Sequence, residues 1–415
     1  MNYTKRSIKI EGISLERYFA PYEEGALKLV EPYFYLSTSV KDTIYAYHTL
    51  QKSFHVLLRK FLKVRREDFI LVTRKEIASC RYLTKLLDPA TMETITTDDP
   101  AVMVCATYSI LRNLKLKLGV VRTKVREFDI PYELETMARE NPSRHYNQLR
   151  VLKSWIAENL SEYVSLFIVH GSFATGDFYE GWSDLDTAVV LKDEAFSSPA
   201  RLVEAREKLS RAGLVCYLVD PLAHHELMVF TAFDQEYYHE DTLPLSSYEN
   251  GMLLYGHKHT RFIQRDSHNE RLHSLALYAA WYRSKVIEEE WADNWYDWKN
   301  DISMVMIMPA LAVEAKGEYP YKRESYSRAK ELYPGIDWSI VDELSLWRKD
   351  WGARSWIQHL PVSLILASPY DITRRVLARL LRPVTHKRPK EEKEVVKNIT
   401  HRTLELMENI LKANL

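Results

Sequence analysis

Two apolar runs, Val164 to Val169 and Ala188 to Leu191, bracket a segment in which Gly171-Ser172 is followed, after eleven residues, by Asp184-Leu185-Asp186. Apolar runs of this length bounded by turn residues read as buried strands. The spacing therefore predicts strand, short helix, loop, strand. A packed strand pair tolerates so polar a segment only at its end, where side chains leave the core. This arrangement limits the fold and its chemistry more than any property of the overall composition.

Each part of the segment answers a physical demand. A strand that turns through Gly171-Ser172 into a helix start presents backbone N–H groups, a hydroxyl and the positive end of a dipole, which suits phosphate. Gly171 lets a ligand approach the backbone, and Thr175 and Gly176 continue the loop. If residues 183–190 form a strand, Asp184 and Asp186 project from one face, about 7 Å apart along the chain, and Leu185 points the other way. Two such carboxylates repel unless a cation lies between them. Mg²⁺ or Mn²⁺, bound by few carboxylates together with substrate phosphates, is the expected partner.

Gly171-Ser172-Phe173-Ala174-Thr175-Gly176 with Ser183-Asp184-Leu185-Asp186 resembles the signature of the polymerase-beta-like nucleotidyltransferase superfamily, over roughly residues 150 to 260. The resemblance implies that Gly171 and Ser172, with Thr175 and Gly176, bind a nucleoside triphosphate. It implies that Asp184 and Asp186 hold metal ions, and that a nucleoside monophosphate passes to an acceptor. It also implies a third carboxylate on a later strand. Glu226, which leads the β-like segment after His224-His225, is the candidate, and Asp220 is its competitor. Lacking that group, the unit would be a non-catalytic module that binds a partner or nucleic acid. The acceptor, whether small molecule, protein or RNA, is not encoded in these motifs, nor is the oligomeric state.

The rest of the chain frames this centre. At 415 residues more than one packed unit is expected. We expect an α+β protein: a small mixed-sheet nucleotidyltransferase domain over residues 146–260, flanked by largely helical regions, 1–145 and 261–415. Ile44, Tyr47, Leu50, Phe54, Leu57, Leu58 and Phe61 recur at helical spacing, and Asn141-Pro142-Ser143 starts a helix carrying Leu149, Leu152, Trp155, Ile156 and Leu160. Residues 199 to 212 read as a helix stopped by Gly213, with β-like segments at Leu214–Val219 and Leu227–Phe233. From Arg271 the pattern is helical and rich in tryptophan, a possible acceptor-binding bundle, and a last amphipathic helix runs through Leu406, Met407, Ile410 and Leu411.

Charge and cysteine usage narrow the function. Basic and acidic residues number 57 each over the chain, but residues 151–260 hold 7 basic and 17 acidic side chains, an excess that suits a metal site. Cys80, Cys105 and Cys216 form no CxxC and no disulfide framework. With no apolar leader or membrane-length apolar run, a cytoplasmic, non-membrane protein is expected. A P-loop is excluded because Asp177 stands where lysine is needed. A zinc-protease helix is excluded because Val229, not histidine, follows His225 by four.

Overall fold

The computed structural model describes residues 9–10, 13–14, 40–63, 66–87, 98–118, 123–223, 225, 227–240, 242–265, 268–348, 351, 356–386 and 393–414. Strands are β1 (Lys9–Ile10), β2 (Ile13–Ser14), β3 (Thr123–Asp129), β4 (Tyr132–Glu133), β5 (Val164–His170), β6 (Asp186–Leu191), β7 (Met228–Thr231), β8 (Met252–Tyr255) and β9 (His259–Arg265). The main sheet has the order β4-β8-β5-β6-β7. Its two outer pairings, β4 with β8 and β6 with β7, are parallel, and β5 runs antiparallel to both β6 and β8. It is a mixed sheet, as expected, and with the surrounding helices it makes an α+β fold. Its edge strand Tyr132–Glu133 comes from ahead of residue 146. A separate antiparallel ribbon pairs β3 with β9 from Thr123↔Arg265 to Asp129↔His259.

Both faces of the sheet are covered, which explains why β5 and β6 read as almost continuous apolar runs. Phe167, Val169, Val189 and Leu191 face the largest core, shared with the N-terminal helices. Their alternates Leu166, Ile168, Ala188 and Val190 face a second core with Phe230, Tyr238 and Phe262. This is the two-residue period of a strand expressed as burial.

The helices used below are α1 (Val40–Lys63), α2 (Arg144–Asn159), α3 (Ser172–Thr175), α4 (Pro199–Val219), α5 (Ala232–Glu236), α6 (Trp295–Glu314), α7 (Lys322–Leu332) and α8 (Lys393–Lys412). In α1, Tyr47, Leu50, Phe54, Leu57, Leu58 and Phe61 are buried as their spacing predicts, whereas the side chain of Ile44 lies outside the described set. Helix α1 also docks on the sheet unit: His55 Nε2 lies 2.8 Å from Asp234 Oδ1, and Gln51 Nε2 donates to the same carboxylate at 3.2 Å. In α2, Ser143 caps the first turn by accepting from His145 N at 3.3 Å. Leu149, Leu152 and Ile156 are fully buried on its inner face.

Two local expectations are overturned. Gly213 does not end a helix; α4 runs on to Val219. Leu214, Val215, Cys216, Leu218 and Val219 are all buried there, so packing on both sides outweighs the β preference of the valines. The Leu227–Phe233 segment is strand only to Thr231. There a capping box between Thr231 and Asp234 starts α5, and a residue type favoured at N-caps outweighs the β-like run.

Tryptophans of the C-terminal region are used mainly in packing. Trp298, Trp338 and Trp351 are buried in a third core, together with Leu406, Met407, Ile410 and Leu411 of α8 and with Trp182 from the loop that precedes β6. Trp182 meets Trp351 edge to face, with ring centroids 5.0 Å apart. The C-terminal helices are therefore fastened to the loop that carries the aspartates.

Gly213 supplies a test of the continuous helix. A Cβ there would sit 3.6 Å from Leu227 Cγ, an ordinary contact. Gly213→Ala should stabilise the protein by about 0.5–1 kcal/mol, read as a higher denaturation midpoint. A clear loss of stability would mean that the helix stops at 213.

Candidate active site

The antiparallel register of β5 and β6 sets His170 opposite Asp186, so the first carboxylate of β6 faces the turn that leaves β5. At that turn Gly171 has φ +68, and a Cβ built on it would lie 2.5 Å from Asp186 Oδ2. Both facts demand glycine: an L side chain is strained at this φ, and the space is filled by the carboxylate. Helix α3 is a single turn, with Ala174 N and Thr175 N donating to Gly171 O at 3.1 and 3.3 Å. Four residues sum to little macrodipole. The expected dipole-positive helix end is therefore weak, and any anion would be gripped by the turn itself and the Ser172 hydroxyl.

Thr175 and Gly176 shape the loop. The Thr175 hydroxyl donates to the Asp177 carboxylate, lies 3.3 Å from Gly171 O and is also hydrogen-bonded to Tyr321. Gly176 has φ +77, and a Cβ there would meet Asn141 Nδ2 at 2.6 Å. Phe173 and Phe178 stack at 4.5 Å, and Tyr146 OH donates to Phe173 O at 3.0 Å. The turn is thus pinned to α2.

Strand β6 begins at Asp186, three residues later than the expected strand over 183–190. Asp184 lies instead just after a tight turn in which Ser183 N donates to Tyr179 O and Tyr179 N to Ser183 Oγ, each at 2.9 Å. The alternation survives the change: Leu185 is buried at 1% exposure between two half-buried aspartates. Ligand atoms of Asp184, Asp186 and His225 all lie within 4.8 Å of one another. A set of two carboxylates and an imidazole at this separation fits a divalent cation.

Burial and mutual repulsion set the electrostatics of the site. Burial and the like charge of Asp184 push the Asp186 carboxyl up to about 8, against the pull of Lys322 and Lys299. Desolvation, with the charges of His225 and Lys322, pushes His170 down to about 3. His225 is exposed as a residue, yet its imidazole is desolvated by the walls of the site. That lowers its pKa, while the Asp184 charge acts in the opposite sense. Positive charge at this point would relieve the carboxylates.

Of the third-carboxylate candidates, Glu226 lies outside the described residues. Asp220, at the end of α4, is fully buried and held by an ion pair to Lys299 of α6 and by Leu222 N at 3.0 Å. Burial nonetheless pushes its carboxyl up to about 6. The sequence reading passed over His225, Tyr321 and Lys322. Tyr321 precedes the first residue of α7 and Lys322 opens it, so both reach the site from the C-terminal helices. No spacing rule links them to residues 171–186; only the tertiary fold does.

No curated protein and no solved structure matches the chain significantly. A family model described as a nucleotidyltransferase domain matches residues 152–234, a stretch that holds β5, the Gly171 turn, both aspartates, β6, α4 and β7. Residues 152–234 are a nucleotidyltransferase domain, consistent with a polymerase-beta-like nucleotidyltransferase.

Proposed function

We propose that the protein is a metal-dependent nucleotidyltransferase that moves a nucleoside monophosphate from a nucleoside triphosphate to an acceptor hydroxyl or similar group. The observation that carries this reading is the convergence of Asp184 and Asp186 beside Gly171. The same reading assigns residues 146–260 as the catalytic unit, with β4 lent to its sheet by residues 1–145, and residues 261–415 as a helical unit closing over one side.

Each residue has a role that its position supports. Gly171 lets phosphate oxygens approach the backbone, and Ser172 offers a hydroxyl donor. Thr175 and Gly176 hold the shape of that turn. Asp184 and Asp186 would hold Mg²⁺ or Mn²⁺, which supplies the positive charge that α-phosphate substitution develops a need for. Lys322 is exposed and close enough to weigh on Asp186 and His225, and on this reading it would meet the charge of the outgoing phosphates. The acceptor oxygen bonds to the α-phosphorus as the bond to the bridging oxygen breaks. Pyrophosphate leaves with that electron pair, and Glu226 is assigned to take the acceptor proton.

Pyrophosphate release is the direct assay. Incubation with each nucleoside triphosphate and Mg²⁺ or Mn²⁺ should release pyrophosphate, and Asp184→Asn or Asp186→Asn should lower the rate by about 10²–10³-fold. Equal release by parent and variants, with binding of nucleotide retained, would make the unit a non-catalytic binding module.

Metal binding should depend on pH through Asp186. Because its carboxyl is held up to about 8, a proton occupies the metal's place below that pH and must leave on binding. Mn²⁺ affinity should rise by about tenfold per pH unit from pH 6 to 8 and level off above. Calorimetric titrations that give a flat profile across this window would contradict the assignment.

A further inference from the structure

We propose that His225 is a third ligand of the cation held by Asp184 and Asp186, and that its nitrogen biases the site toward Mn²⁺ and against Mg²⁺. The inference rests on the aspartate pair being a metal site, as read above, and concerns which ion that site takes.

Three observations lead to it. Among the described residues, the His225 imidazole offers a ligand atom that falls within 4.8 Å of those of both aspartates. Asp220, whose charge also weighs on this site, is turned to Lys299 and to Leu222 N. His225 also stands in an exposed position between Ala223 and Leu227, both buried. An ammonium from α6 thus occupies Asp220, the competitor of Glu226 in the sequence reading, and an imidazole stands beside the pair.

Ion choice follows from donor chemistry. Mg²⁺ is small and hard, prefers oxygen in near-ideal octahedral array and gives up water reluctantly. An imidazole nitrogen is a poor ligand for it and a better one for first-row transition ions. Two oxygens and one nitrogen therefore widen the preference for Mn²⁺ beyond what the two carboxylates alone would give. A carboxylate at position 225 would narrow it.

The test reads metal binding directly on the full chain, without turnover. Mn²⁺ is titrated by electron paramagnetic resonance with Mg²⁺ as competitor, and the bound ion is examined by electron spin echo for ¹⁴N coupling. The wild-type protein should show ¹⁴N modulation, which His225→Asp should abolish. The ratio of Mg²⁺ to Mn²⁺ dissociation constants should fall by about tenfold in His225→Asp, while His225→Ala should weaken Mn²⁺ more than Mg²⁺. Absence of ¹⁴N modulation in the wild type, or its persistence in His225→Asp, overturns the proposal even if Asp184→Asn abolishes Mn²⁺ binding. Unchanged Mn²⁺ binding in Asp184→Asn and Asp186→Asn would overturn the aspartate reading beneath it.

Discussion

Two carboxylates held together in a half-buried place repel each other, and the rest of the site is organised around that repulsion. Asp186 cannot move away, because its backbone is held at the start of β6 in register with His170 of the central strand β5. Asp184 cannot either, because Leu185 is buried between them and a tight turn through Tyr179 and Ser183 fixes the approach. The buried ammonium of Lys299 is paired with Asp220, and burial with the like charge of Asp184 holds the Asp186 carboxyl well above the usual carboxylate range. A site so arranged stores unfavourable charge that an added cation relieves.

The same region joins the parts of the molecule. Helix α6 contributes Lys299 to Asp220, the α7 start contributes Tyr321 to Thr175, and Trp182 on the aspartate loop packs against Trp351. On the opposite side, α1 ties into the sheet unit through Gln51 and His55 on Asp234. Buried polar links of this kind require their partners in place, so displacement of the C-terminal helices would be felt at the Gly171 turn and at Asp220.

Sequence carried the centre of this arrangement well because its signals are local. Apolar runs gave β5 and β6, glycine at 171 reflects both a positive φ and the nearness of Asp186, and alternation put Leu185 inside with Asp184 and Asp186 outside. Ser143 as an N-cap and the heptad-like spacing of α1 were legible for the same reason. What escaped depends on contacts between distant segments. Gly213 reads as a stop until burial on both sides of α4 is known. The short strand Tyr132–Glu133 has too few residues to show a period, and it joins the sheet only through β8. His225 sits in a His-His pair with no spacing to the aspartates, and Lys322 belongs to another helix altogether. Local rules assign elements and turns; they do not reveal which side chains long-range packing brings together.

The account turns on whether the Gly171 turn and the two aspartates act as one site. Crystals grown with Mn²⁺ and a nucleoside triphosphate that cannot be cleaved between its α and β phosphorus atoms would decide it through the anomalous signal of the metal. The account predicts a peak between the Asp184 and Asp186 carboxylates, with the phosphates against the backbone of Gly171 and Ser172. A peak elsewhere, with nucleotide bound away from that turn, would contradict it.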